Sequence, residues 1–236
     1  MSIKDKINIA VIGATGYTGL DLVLMLSNHP KVKIVNLCAT KNLGKKISFF
    51  DKRIKKKLPL ISSINELNWS NLDIVFLSLP NGNAQKIVKK YYYKYKKLRF
   101  IDLSADFRIL DPNIYKTNYN LKHKAKDLIK HSLYSIPEVD KEKIKKTRII
   151  SNPGCYPTSI QIPLIPLIKK NLIKTKNIVI DSKSGYSGAG KNLDKKFKHK
   201  NLYSSIFAYG IKSHRHICEI DQQLFKHTRK KITFSF

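Results

Sequence analysis

The stretch INIAVIGATGYTG, Ile7 to Gly19, decides the fold. Its first half is a short apolar run closed by glycine, which fits a parallel strand buried on both faces. Beyond it, apolar residues fall at Leu20, Val23, Leu24 and Leu26, and Asn28 to Pro30 supply a stop, so the spacing predicts a helix. The pattern recurs downstream. Lys31 to Ala39 and Leu72 to Pro80 read as strands, NAQKIVKKYYYKYKK as a helix and Leu98 to Ser104 as a further strand. Strands alternating with helices imply a doubly wound α/β domain.

The chain has 236 residues, 42% of them hydrophobic, enough for one large or two small domains with a real core. No apolar run reaches the roughly 18 residues of a membrane span. The first residues pass from charge into a strand pattern with no secretory h-region, so the cytosol is the expected compartment. Cys38, Cys155 and Cys218 are an odd set without CxxC spacing and are expected to be reduced thiols. A formal net charge of +30 would attract any polyanion. The lysines, however, are dispersed through KRIKKK (Lys52 to Lys57), YYYKYKK (Tyr91 to Lys97) and KKFKHK (Lys195 to Lys200) alike, which argues against a dedicated nucleic-acid binder.

The second half carries the reactive side chains. A strand from Arg148 to Ser151 runs into SNPGCYPTS and puts Cys155 at a strand–helix junction, where first-turn N–H groups favour a nucleophilic thiolate. The alternative is a buried structural thiol. In the helix that follows, Pro163 and Pro166 remove backbone donors, so a kink or an early end is expected. KNIVIDSKSG reads as the next strand and KITFSF as one more. In SHRHICE, Ser213 to Glu219, an extended backbone would project His214 and His216 to one side and Arg215 to the other. Imidazole is the natural proton carrier near neutral pH. A zinc site from His214, His216, Cys218 and Glu219 is the weaker reading, because alternate residues of one strand seldom complete a tetrahedral site.

Gly13, Gly16 and Gly19 follow a strand and open a helix, the setting in which backbone N–H groups bind phosphate. Tight strand–helix packing is the alternative explanation of those glycines. The second strand ends Leu37-Cys38-Ala39-Thr40-Lys41 with no carboxylate and with Lys45 and Lys46 close behind, which suits the 2′-phosphate of NADP rather than the bare ribose of NAD. GYSGAGKN, Gly185 to Asn192, nearly matches a P-loop, but Asn192 stands where magnesium needs a hydroxyl. An ATPase or kinase reading is therefore set aside.

In their order, GATGYTG, DLSADFR (Asp102 to Arg108), YSIPE (Tyr134 to Glu138), SNPGCYPT, KSGYSGAG and HRHICEI resemble the N-acetyl-γ-glutamyl-phosphate reductases, from about Ile7 to the end of the chain. The resemblance implies a Rossmann-type doubly wound parallel sheet in residues 1–150. It implies an α+β catalytic domain in residues 151–236, incomplete at its C-terminus. It further implies NADP as cofactor, a small acyl phosphate reduced through a cysteine thioester, and a homo-oligomer with no specific nucleic acid or membrane partner. By resemblance Cys155 is the nucleophile and His216, with His214 second, the catalytic histidine. Gly13, Thr15, Gly16, Tyr17, Thr18, Gly19 and Thr40 would hold the cofactor, and Ser187, Gly188 and Gly190 would line its nicotinamide or phosphate end. Arg108, Asn152 and Arg215 would take substrate carboxylate or phosphate. The family usually has proline where this chain has Cys218. It also continues beyond the position of Phe236, so Ile232, Phe234 and Phe236 are expected to lack part of their cover.

Overall fold

A computed structural model describes residues 6–191, 204–210 and 214–236; Asn192, Lys195 to Lys200 and Ser213 lie outside these. Ile7–Ile12 (β1) is followed by Tyr17–Ser27 (α1) and Val32–Cys38 (β2). Ile61–Ser62 (β3), Ile74–Leu77 (β4), Ala84–Tyr91 (α2) and Arg99–Asp102 (β5) come next. Pro112–Tyr119 (α3) and Lys126–Ile129 (α4) lead to Ser132–Tyr134 (β6), Pro137–Lys146 (α5) and Ile149–Ser151 (β7). These strands form one seven-stranded sheet in the order β3-β2-β1-β4-β5-β7-β6, with neighbouring strands parallel.

The two faces of this sheet are filled by alternate residues of the same strands. Ile9 and Val11 of β1 join Leu20 and Val23 of α1, Leu37 and Ile54 in one core cluster. Ala10 and Ile12 face the other way and pack with Val75, Leu77, Phe100 and Val88 of α2. Helices on both faces leave the strands no polar side, which is why INIAVI reads as unbroken apolar sequence. The strand order reverses between β1 and β4. Ligands of doubly wound sheets bind at such a reversal, beyond the C-terminal ends of the strands.

Cys155–Lys169 (α6) and Ile217–Thr228 (α7) pack on each other beside a second, two-stranded parallel sheet made of Ile178–Val179 (β8) and Phe234–Ser235 (β9). The expected early end at the prolines is corrected: α6 runs on through Pro163 and Pro166 for 15 residues. Both prolines lie on the exposed face of the helix, as do Ser159 and Ile162 four residues before them. The buried face, Ile160, Ile165 and Ile168, is held against Ile220 and Leu224 of α7, and this packing outweighs the lost donors. Ile232 is buried, and Phe234 and Phe236 pack partly covered against the same cluster. Among the described residues no helix is long and apolar enough to cross a membrane.

Candidate active site

Two helix starts define the functional edge of the large sheet. β1 passes through a turn in which Gly13 and Ala14 donate to the carbonyl of Cys38, and α1 begins after Gly16. Gly13 has φ +88°, and a methyl there would stand 1.9 Å from the Ser78 carbonyl oxygen. A methyl on Gly19 would stand 2.2 Å from the Gly13 carbonyl oxygen. These two glycines are required by the protein's own packing. Gly16 is different, since the nearest atom to its missing methyl is the Gly13 oxygen at 3.5 Å. Beside Gly16, the first-turn N–H groups of Tyr17, Thr18 and Gly19 lack intrahelical acceptors, and Tyr17 and Thr18 are exposed. An open cradle of backbone donors at a helix start fits a phosphate group. Thr40 is exposed just past β2, and Lys45 and Lys46 line a shallow hollow with Ser48 and Phe49.

The second helix start carries the cysteine. Cys155 is exposed and is the first residue of α6. Its neighbour Gly154 is wedged between two side chains: a methyl there would stand 2.7 Å from His216 Nε2 and 2.9 Å from Arg108 Nη1. Cys38, by contrast, is a buried structural thiol, its pKa pushed up to about 11 chiefly by burial. Cys218 donates to the Arg215 carbonyl and is likewise pushed up to about 11 by burial.

The histidine segment is not extended, which corrects the strand geometry expected for it. His216 caps α7 with helical dihedrals, φ −83° and ψ −10°, and its N–H donates to His214 Nδ1 at 3.2 Å. The rings nonetheless meet, with centroids 4.8 Å apart, because a helix start folds the two residues back on each other. His214 is further enclosed by Tyr156, Tyr209 and Phe236. Burial lowers the pKa of both imidazoles, His214 with help from Arg215, and His216 to about 3 with help from Arg108, His214 and Arg215. His216 is thus a neutral imidazole at pH 7, and its buried Nδ1 has no hydrogen-bond partner among the described residues.

A buried polar network, illegible as such in the sequence, holds these pieces. Glu219 Oε1 accepts from the Gly154 N–H at 2.9 Å and from the Tyr134 hydroxyl at 2.8 Å, and Gln161 Nε2 donates to that hydroxyl at 2.8 Å. Glu219 Oε2 lies 3.6 Å from Arg108 Nη1 in a buried ion pair. Burial pushes the Glu219 carboxyl up, opposed by Arg108, the Gly154 N–H and Tyr134. Arg108 itself is buried and donates to the carbonyls of Asn152 and Leu103, so much of its donor capacity is spent on the protein. Asn152 and Arg215 are exposed. The carboxylate considered for zinc is therefore turned into the fold, and among the described residues no group of three or more His, Cys, Asp or Glu side chains could hold a metal. One signal was available: Glu219 follows His216 by three residues, the spacing of one helix face.

DLSADFR serves the scaffold. Asp106 accepts from the backbone N–H groups of Gly82 and Gln85 at the start of α2 and from the Tyr115 hydroxyl. Asp102 accepts from Ser104 and Phe107, and its pKa is raised to about 6 by burial and by Asp106. The remaining loop, Tyr186–Ala189, is a single 3-10 turn containing Ser187 and Gly188, followed by Gly190 at φ +85°.

A semialdehyde dehydrogenase NAD-binding domain model matches residues 8–147, and a semialdehyde dehydrogenase dimerisation domain model matches residues 155–236. Probable N-acetyl-gamma-glutamyl-phosphate reductase, chloroplastic, of Oryza sativa subsp. japonica is 43% identical over 98% of this chain and 55% of its own length. N-acetyl-gamma-glutamyl-phosphate reductase of Ehrlichia canis is 44% identical over 98% of this chain and 66% of its own. The enzyme of that name from Afipia carboxidovorans is 39% identical over 98% and 67%. The chain belongs to the N-acetyl-γ-glutamyl-phosphate reductase family. It spans between about half and two thirds of the length of these family members. The family fold is also that of Vibrio cholerae aspartate semialdehyde dehydrogenase II, with a TM-score of 0.62 at 15% identity over 98% of this chain and 68% of that one.

Proposed function

We propose that this chain carries the NADPH-dependent reduction of N-acetyl-L-glutamyl 5-phosphate to N-acetyl-L-glutamate 5-semialdehyde and phosphate, a step of arginine biosynthesis in the cytoplasm, and that it forms a homo-oligomer. The observation that carries the reading is the exposed Cys155 at the start of α6, with His216 packed against its neighbour Gly154. Family membership supports the acyl phosphate as substrate, and the match to a dimerisation domain supports the oligomer.

Cys155 Sγ attacks the acyl carbon, a C–S bond forms, the C–O bond to phosphate breaks, and phosphate leaves with the electron pair. A bound nicotinamide cofactor would supply the hydride that the resulting thioester carbon needs. The C–S bond then breaks, sulfur keeps its electron pair, and the aldehyde is released. His216 carries the proton between the sulfur and the substrate oxygen, with His214 fixing its backbone. Since burial and nearby cations keep His216 neutral, it gains a proton most readily with the substrate's negative phosphate close by. Arg215 and Asn152, both exposed, are offered to the substrate carboxylate or phosphate, as is whatever donor capacity Arg108 keeps beyond its bonds to the Asn152 and Leu103 carbonyls.

The open cradle at Gly16 with the first-turn donors of Tyr17, Thr18 and Gly19 suits the cofactor pyrophosphate. Thr40, Lys45 and Lys46, with no carboxylate at the end of β2, suit the 2′-phosphate of NADP. Ser187, Gly188 and Gly190 would line the nicotinamide or phosphate end. The test is phosphate-dependent NADPH formation from N-acetylglutamate semialdehyde. Turnover that requires phosphate and prefers NADP supports the reading; aldehyde oxidation indifferent to phosphate contradicts it.

A further inference from the structure

Lys191 stands where two distant turns meet. Its ammonium donates to the carbonyl of Thr15 at 2.6 Å across 176 residues of sequence. It also lies 5.4 Å from the ring centroid of Tyr17 and 5.9 Å from that of Phe50. Tyr17 is the first residue of α1, so a full positive charge is held next to the positive end of a helix dipole. That pairing is unfavourable by itself. The carboxylate of Asp51 attracts the ammonium from a distance, but its oxygens hydrogen-bond Arg53, so it offsets the charge only in part. Among the described residues the ammonium bonds one neutral carbonyl and lies over two ring faces, while the Gly16 cradle beside it is open. An anion lying between the ammonium and the helix start would satisfy both positive groups at once.

We propose that Lys191 is the cation that closes over the pyrophosphate of the dinucleotide at the start of α1, exchanging the Thr15 carbonyl for a phosphate oxygen. This rests on the cofactor reading above and extends it to a residue of the turn that follows Gly190. Lys191 is exposed, so its removal leaves the Thr15 carbonyl to water and the fold intact. One charge-assisted hydrogen bond to phosphate in a partly exposed site is worth about a tenfold change in affinity.

The experiment is calorimetric titration of NADPH and, separately, NADH into the wild-type chain, Lys191→Ala and Lys191→Arg, at low and high salt, with melting temperatures measured alongside. The expected result is about tenfold weaker binding of both cofactors by Lys191→Ala, a smaller deficit at high salt, recovery in Lys191→Arg, and unchanged melting. Wild-type binding with no loss in Lys191→Ala overturns this inference alone. A loss confined to NADPH overturns it by assigning Lys191 to the 2′-phosphate. A wild-type chain that binds neither cofactor overturns the cofactor reading and this inference with it.

Discussion

The chain builds one junction twice: β1 turns through glycine into α1, and β7 turns through glycine into α6. The capping glycines have nearly the same backbone, φ −72° and ψ 164° at Gly16 and φ −65° and ψ 164° at Gly154, and neither helix has a side-chain cap. Both helices start at the same edge of one parallel sheet, separated by β4 and β5, or about 14 Å at the usual strand spacing. At α1 the backbone donors are left open and the crowding comes from main chain, at Gly13 and Gly19. At α6 a thiol occupies the first position, and the crowding of Gly154 comes from His216 and Arg108. On the proposed reading one backbone geometry would serve two purposes, an anion cradle in one place and a seat for a nucleophile in the other, according to what is packed beside it.

Alanine substitutions can break this comparison. Gly13→Ala meets a carbonyl oxygen at 1.9 Å from a positive φ, so a loss of about 4 kcal/mol or failure to fold is expected, read by urea denaturation. A stability within 1 kcal/mol of wild type, as a rough limit, would show that the turn yields easily.

The imidazole beside the second junction sets a pH dependence. The folded-state value of His216, about 3, lies below its ordinary 6.5, so the unfolded chain takes up its proton first. Stability is therefore lost as pH falls from the ordinary value toward the folded one. His123, His214 and His227 are lowered by burial and act in the same direction, while Asp102, Glu219 and Asp221 are raised by burial and oppose it. Comparing His216→Asn with wild type isolates one group. Between pH 7 and 4.5 the variant should lose roughly 2–3 kcal/mol less stability; parallel curves would mean His216 titrates normally.

Gly154→Ala pushes on His216 and Arg108 rather than on main chain. Turnover should fall about a hundredfold, as expected for a displacement near 1 Å, with cofactor affinity retained. Equal losses of both would place the two junctions in one coupled unit. The smallest effect is expected for Gly16→Ala, which has room for the methyl. Stability should stay near wild type while cofactor binding weakens about tenfold, as for loss of one good phosphate contact; unchanged binding would mean the cradle is not used.

The first junction was legible because INIAVI is buried on both faces and the glycines punctuate it. Much of the second was not. β3 and β6 are two and three residues long, too short to show a period. The prolines of α6 suggested an early end because a sequence does not reveal that both face solvent. Cys155 and the histidine pair stood out by residue type, yet the turn into α7 and the role of Glu219 depend on Tyr134 and Gly154, 85 and 65 residues away. Long-range partners of a buried carboxylate leave no local pattern.

The most direct measurement is a single turnover without phosphate. Given N-acetylglutamate semialdehyde and NADP, the proposed mechanism predicts that Cys155 should add to the aldehyde, that a hydride should leave for the cofactor, and that a thioester should remain on sulfur. One equivalent of NADPH should appear per active site in a burst, intact-protein mass should rise by one N-acetylglutamyl group on Cys155, and added phosphate should release it. Cys155→Ser should bind cofactor and give no burst. A burst of wild-type size in Cys155→Ser, or one without an acyl group on Cys155, would contradict a nucleophile seated at the start of α6.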